Sequence, residues 1–157
     1  MQSTSVSHYA ATDQLIRKWL SDRQAVIVTL NHLCGLRPFS TQSIKEEIAE
    51  VLQGFCEKLV DYVSYGHFSI YEKMIAVTER SYHPLARVPS QLIELLNHMT
   101  QEALDFADKC QKCDLHFLEN ELSTLAEKFA QRLEWEDKLI GAYSFAKKWG
   151  IDAIKSA

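Results

Sequence analysis

The 157 residues, 46% hydrophobic and 24% charged, fit one soluble globular domain that needs neither a metal nor a disulfide to stabilise its core. A net charge of −4 argues against direct DNA binding, which requires a basic face for the phosphates, and suits a basic protein partner better. Residues 1–14 lack the basic start and apolar run of a signal peptide, and no stretch has the about eighteen apolar residues of a membrane span. We therefore expect a cytoplasmic protein whose four cysteines are reduced thiols.

Helical periodicity runs through the chain, and no segment alternates for long with the period of two that a strand would show. The apolar spacing predicts a first helix over residues 12–33, beginning at Thr12, and a second over residues 41–65. Beyond Gly66 the helical spacing continues to about Arg80, so Gly66 either ends the second helix or bends it.

Two more helices are predicted after a loop at residues 81–89 that contains two prolines, one over residues 90–112 and one from residue 114 towards Trp149. Four long amphipathic segments with short connections predict an all-α fold, an antiparallel four-helix bundle with a kinked or broken second helix and short flanking segments. We expect a disordered N-terminal segment, a single bundle domain and a short tail, at residues 1–11, 12–150 and 151–157.

The last helix is predicted to face the core with an apolar stripe that includes Phe129, Leu133 and Ile140. Near its end the chain is rich in charge, and we interpret this group as a solvated face: Glu134, Glu136, Asp137 and Lys138.

Metal and enzyme motifs have little support in the sequence. A ferritin-like bundle site needs Glu-x-x-His on two helices, and the chain has none; only His98 and Glu102 show i, i+4 spacing. Cys110 and Cys113 form a Cys-x-x-Cys that stays one ligand short of a structural zinc site even with His116, so we interpret them as incidental thiols. Phosphate loops and nucleophile elbows are also missing. We expect no cofactor, no metal site and no enzyme activity, and a metal-binding bundle protein remains the less favoured alternative.

The most informative stretch is residues 59–73, which combine four aromatic side chains, a histidine, a glycine and two carboxylates. Its aromatic residues lie three apart, at Tyr62, Tyr65, Phe68 and Tyr71. That spacing drifts around a helix, so the four rings cannot all face one narrow core stripe. Aromatic groups that reach the surface beside a carboxylate such as Asp61 are typical of a protein-binding patch.

A plainer interpretation of the same stretch is structural. Phe68, Tyr71 and Ile75 have the i, i+3, i+7 spacing of core residues. In that case Asp61 would pair internally with Lys58 or with an arginine of the first helix, and His67 would be a structural histidine.

The segments LVDYVS at residues 59–64 and GHFSIYEK at residues 66–73 resemble the signature of the Rsd/AlgQ family, the bacterial regulators of the primary sigma factor. Two further blocks are similar to family elements in the same order, LIRKWL at residues 15–20 and EDKLI at residues 136–140. Between residues 81 and 133 only the helical pattern is similar, and the Cys110/Cys113 pair departs from the family pattern.

The resemblance implies an anti-sigma factor. Such a protein binds the primary sigma factor, chiefly its region four, a small basic helix-turn-helix domain, and limits its association with core RNA polymerase and promoter DNA. It implies a protein partner without direct binding to nucleic acid or membrane, and a monomer is favoured. The alternative is a helical-bundle regulator retuned to another protein partner.

The predicted partner-binding residues are Asp61, Ser64, Tyr65, His67, Phe68, Tyr71 and Glu72 of the signature, with Arg17 and Trp19 of the first helix. Whether Arg17 and Trp19 join the binding surface or lie apart from it is left open by the sequence.

Overall fold

The computed structural model describes the backbone at residues 2–39, 44–111 and 115–156, and the side chains at residues 9–39, 46–111 and 117–149. Within these ranges the chain is helical and has no strand: α1 (Gln2–Gly35), α2 (Ile44–Tyr65), a π-helical segment (Gly66–Ile70), α3 (Tyr71–Glu79), a 3-10 turn (Pro84–Ala86), α4 (Ser90–Cys110) and α5 (Leu115–Ser156).

Four long rods build the bundle, because α2, the π-helical segment and α3 follow one another without a loop. Helix α1 packs on α2, α2 on α4 and α4 on α5, while α1 and α3 both pack on α5. Short connections between neighbouring rods make them antiparallel. The predicted all-α helical bundle is therefore confirmed, and the π-helical segment lies where the second helix was predicted to be kinked or broken.

Helix α1 starts at Gln2, ahead of the predicted start at Thr12, because an apolar stripe marks only the part of a helix that packs on the bundle. Residues 151–156 likewise continue α5 as helix. The division into a bundle domain with a disordered first segment and a short tail stays a prediction. Residues 41–43 of the predicted second helix lie outside the described residues.

The core-facing stripe of α5 includes two charged residues. Arg132 is 1% exposed and Glu136 is 0% exposed, in line with Phe129 and Tyr143 on the same helix face. The prediction that Glu136 belongs to a solvated face is thus wrong. Glu136 lies four residues after Arg132 and seven before Tyr143, which places it on the core-facing side of the helix. Over the described helices, none has the length and apolar character required to cross a membrane.

Candidate protein-binding site

A π-helical segment shapes the signature stretch. The backbone N–H of Tyr71 donates to the carbonyl of Gly66, which is the i to i+5 bond of a π turn. In a regular α-helix, Tyr71 would point about 180° away from Tyr62, at about 100° per residue. The extra residue held by the π turn reduces this offset to about 80°. Both tyrosines can therefore face the core from one rod.

Gly66 lets this segment lie against the indole of Trp19. A Cβ at position 66 would stand 3.0 Å from Trp19 Nε1 and 3.4 Å from its Cε2. The indole is fully buried, stacks on the ring of Tyr62 at a centroid distance of 5.7 Å and meets the ring of Tyr71 edge-on at 5.9 Å. The missing side chain thus sets how closely α1 approaches the π-helical segment.

Beneath the signature stretch, the Glu136 carboxylate is the centre of a buried polar network. The hydroxyl of Tyr62 donates to Glu136 Oε1, and the hydroxyl of Tyr71 donates to Oε2 at 2.6 Å. Arg132 Nε donates to Oε2 at 3.2 Å, and Arg132 Nη2 donates to the Tyr71 hydroxyl at 2.6 Å. The carboxylate therefore ties the rod on both sides of the π turn to α5.

The network also reaches α4 and α1. Arg132 Nη1 donates to Thr100 Oγ1 at 2.9 Å and to the carbonyl of Leu96 at 3.3 Å. Arg23 Nη1 lies 3.5 Å from Glu136 Oε1. Burying two charges costs desolvation free energy. These hydrogen bonds offset that cost for the Arg132–Glu136 pair in the core.

The two tyrosines of the network stay neutral. Burial raises the pKa of Tyr62 and of Tyr71 well above 10, and the carboxylate of Glu136 raises both further, against the opposing charge of Arg132. Neutral hydroxyls are required here because only they can donate to the carboxylate.

On the outside of the same rod, α1 and α2 enclose an open groove of about 690 Å³ that we call the α1–α2 groove. It is lined by Lys18, Asp22, Ala25, Lys58, Asp61, Ser64, Tyr65, Phe68 and Ser69. The Phe68 side chain is 71% exposed, and Lys18 Nζ lies 5.6 Å above the ring of Tyr65. An exposed aromatic group beside polar side chains is the arrangement expected of a protein-binding patch.

Asp61 is exposed on this groove and forms no ion pair with any residue that the structure describes. Lys58 points elsewhere, since its Nζ donates to Thr29 Oγ1 on α1 at 3.4 Å. The internal pairing of Asp61 with Lys58 or a first-helix arginine, considered from the sequence, is therefore not formed. The carboxylate remains available to a partner.

The groove brings together four of the predicted site residues, Asp61, Ser64, Tyr65 and Phe68. The ring of His67 is half-buried and lies 4.8 Å from that of Phe68, and its Nδ1 has no hydrogen-bond partner among the described residues. Arg17 and Glu72 are exposed but do not line the groove.

Trp19 and Tyr71 are buried, at 0% and 3% exposed. They were predicted as partner-binding residues, and their burial excludes direct contact with a partner in this conformation. Trp19 instead packs against Tyr62, Tyr71 and Gly66 of the π-helical segment, and Tyr71 packs against Trp19. Any part they have in binding is the positioning of Phe68 and its neighbours.

The sequence interpretation missed the charged residues of the network, although a signal was present. Arg132 and Glu136 occupy stripe positions of α5, and Arg23 occupies the position between Trp19 and Val26 on the stripe of α1. Charged residues on an otherwise apolar stripe predict a buried ion pair when two packed helices both carry them.

No group of three or more potential metal ligands occurs among the described residues. His98 Nε2 lies 3.4 Å from Glu102 Oε1, and Lys128 Nζ approaches the same oxygen more closely, at 2.6 Å. The incomplete set of Cys110, Cys113 and His116 considered from the sequence lies only partly within the described residues, because Cys113 and the side chain of His116 lie outside them.

Comparison with known proteins gives one consistent family. A family model described as "Regulator of RNA polymerase sigma(70) subunit, Rsd/AlgQ" matches residues 2–144. A protein named "Regulator of sigma D" from Pectobacterium carotovorum subsp. carotovorum (strain PC1) is 30% identical over 145 residues, 88% of this chain and 94% of that protein. Proteins of the same name from Enterobacter sp. (strain 638) and Sodalis glossinidius (strain morsitans) are each 34% identical, covering 82% of this chain and 79% and 86% of their own lengths. No solved structure gives a significant match.

Proposed function

Since this chain belongs to the Rsd/AlgQ family of regulators of the RNA polymerase sigma(70) subunit, we propose that it is an anti-sigma factor. It binds the primary sigma factor, chiefly region four, and limits the association of sigma with core polymerase and promoter DNA. The relatives named "Regulator of sigma D" support this partner. The action is competition by mass action, so its strength depends on the concentrations of both proteins.

The observation that carries the proposal is the α1–α2 groove. There the exposed carboxylate of Asp61, which has no ion pair with a described residue, lies beside the exposed ring of Phe68 and the half-buried ring of Tyr65. Aromatic anchors supply contact area and a charged group fixes orientation, which is how a few residues come to dominate an interface. An arginine of the partner is the natural counterpart for Asp61, because its guanidinium binds a carboxylate in a planar, bidentate manner.

Charge in the groove favours a basic protein as the partner. Of its charged residues, Lys18 lies over the ring of Tyr65 and Lys58 bonds to Thr29, so both ammonium groups are engaged within the protein. The carboxylates of Asp22 and Asp61 are exposed, and the whole chain carries a net charge of −4. This distribution suits the basic region four and opposes direct contact with phosphates.

The buried network has a supporting role in this proposal. By bonding Tyr62 and Tyr71, Glu136 secures the rod on both sides of the π-helical segment that carries Phe68. A contact patch is effective when its residues are preorganised, because less conformational entropy is then lost on binding.

Calorimetric titration of purified region four of the host's primary sigma factor tests the proposal. We expect micromolar or tighter binding, weakened about 30-fold by Asp61→Ala if the charge pair is buried, a loss of about 2 kcal/mol. Phe68→Ala should cost a similar amount as an aromatic anchor. Glu94→Ala is the matched control, because Glu94 is an exposed carboxylate on α4 that does not line the groove. It should leave the affinity unchanged.

The outcomes separate role from site. Binding that is insensitive to both Asp61→Ala and Phe68→Ala would keep the anti-sigma role and refute the groove as its surface. Absence of binding to region four and to full-length sigma would refute the role and favour a regulator retuned to another protein partner. Sedimentation of the same samples tests whether the protein acts as a monomer.

A further inference from the structure

A pair of thiols meets where α2 packs on α4. Cys56 lies on α2 and Cys110 in the last turn of α4, and both residues line one groove between these helices. The sequence singles out Cys110 with Cys113 because they are close along the chain. The fold instead brings to Cys110 a cysteine from another helix.

Both thiols line an open groove between α2 and α4 of about 660 Å³, which we call the thiol groove. The lining also includes Gln53, Glu57 and Asp108. Each of the two cysteines is half-buried, so a small reagent reaches the sulfur atoms from the groove while the helices hold them together. The thiol groove contains none of the residues that line the α1–α2 groove.

We propose that Cys56 and Cys110 form a dithiol site that hydroperoxides oxidise reversibly to a disulfide, joining α2 to α4. The placement of both thiols on the wall of one groove, where α2 packs on α4, supplies the proximity that the reaction requires, and the open groove supplies access. The proposal is independent of the anti-sigma function, because it concerns a different face of α2.

Cys56 is the attacking thiol. The hydrogen bond from Cys110 lowers the pKa of Cys56 below its ordinary value, against burial and the charge of Glu57, which raise it. Its thiolate attacks one oxygen of the hydroperoxide, the O–O bond breaks, and an alcohol or water leaves with a proton. Cys110 then attacks the sulfenic sulfur and releases water as the S–S bond forms. Overall, two thiols and one hydroperoxide give one disulfide, one alcohol or water, and one further water.

Peptide mapping after limited oxidation of the full chain with hydrogen peroxide tests the proposal. Trypsin cleaves after Lys45, Lys58, Lys109, Lys112 and Lys128, which places the three cysteines concerned on separate peptides at residues 46–58, 110–112 and 113–128. We expect a cross-link between 46–58 and 110–112, lost on reduction with dithiothreitol. It should form equally in Cys113→Ser and be absent in Cys56→Ser.

Cys34 is an internal comparison, because it is half-buried like the pair but does not line the thiol groove. Its peptide should stay unoxidised at peroxide doses that link Cys56 to Cys110. Since the link would close a loop of about 50 residues, the oxidised Cys113→Ser protein should melt several degrees higher than the reduced one, roughly 3–10 °C.

Three results would overturn the proposal. One is a dominant cross-link between 110–112 and 113–128. Another is oxidation of Cys56 to sulfenic or sulfinic acid without a cross-link. The third is oxidation of Cys34 at the same peroxide doses as Cys56 and Cys110. If Cys56→Ser fails to fold, the peptide map of the unmutated protein still detects the first result, and the Cys113→Ser protein still detects the other two.

Discussion

Replacing Glu136 by glutamine tests whether the buried network stabilises the fold. The change is isosteric, so it creates no cavity, but it removes the charge opposite Arg132, a residue that is only 1% exposed. It also replaces one acceptor oxygen by an NH2 group. That group would face donors, because Glu136 accepts hydrogen bonds from Tyr62, Tyr71 and Arg132.

The expected loss is large because the remaining charge stays in the core. Removing one partner of a buried ion pair costs about 3–5 kcal/mol, compared with a total stability of about 5–15 kcal/mol for a domain. Arg132 keeps its bonds to Thr100 and to the carbonyl of Leu96, so we expect the lower half of that range, about 3–4 kcal/mol. The melting temperature should fall by about 6–16 °C.

A double-mutant cycle separates the pair from the rest of the network. Arg132→Met alone leaves a buried carboxylate and should also be strongly destabilising. The double variant Arg132→Met/Glu136→Gln contains neither charge, so its loss should be smaller than the sum of the two single losses by about 1–3 kcal/mol. Glu134→Gln is the matched control, because the Glu134 side chain is 68% exposed and its ion pair among the described residues is a long one, with Lys138 at 3.8 Å. It should change the stability by less than about 0.5 kcal/mol.

Urea unfolding followed by circular dichroism at neutral pH measures all four variants, and an unchanged m-value confirms that only stability has changed. A loss for Glu136→Gln of less than about 1 kcal/mol would refute the reasoning, because it would equal an ordinary surface change. Strict additivity in the cycle would show that the two charges are not coupled.

Four further substitutions test other parts of the fold by the same urea assay. Gly66→Ala should destabilise by about 1–3 kcal/mol, because its Cβ would meet the buried indole of Trp19 at 3.0 Å. Gly54→Ala, whose Cβ meets nothing within 4 Å, should stabilise by about 0.5–1 kcal/mol, and an equal effect at both glycines would refute the close approach. The free energy of unfolding should fall as the pH rises above about 10, because the raised pKa of Tyr62 keeps this side chain neutral in the folded state while it ionises in the unfolded state. Tyr62→Phe should weaken this pH dependence. An unchanged pH profile in that variant would contradict the reasoning. Burial raises the pKa of Asp13, but hydrogen bonds from a lysine and a tyrosine of α5 outweigh it and give a net lowering. The stability advantage of the wild type over Asp13→Asn should therefore be present above about pH 4 and disappear as the pH falls through the folded-state pKa, and an advantage that persists in acid would argue against these contacts.

Much of the candidate site was predictable from local sequence. The aromatic spacing of residues 59–73 required some rings to leave the core, and the structure exposes Phe68 while it buries Tyr62 and Tyr71. Which rings lie on which side was not predictable, since a single π turn rotates everything that follows it by about one residue. Gly66 marked the break, but the extra residue in the turn depends on packing against Trp19 on another helix.

By itself, the sequence determined the all-α bundle, the broken second helix and the family, because apolar periodicity and short matched segments are local properties of the chain. Only the tertiary structure decided which groups meet Glu136 in the core, that Asp61 on its groove forms no ion pair with a described residue, and that Cys56 and Cys110 line one groove. The physical reason is the same in each case. Burial and pairing of a polar side chain depend on the groups that neighbouring helices place opposite it. Those groups can be far away in the sequence: Arg23 and Glu136, for example, are 113 residues apart.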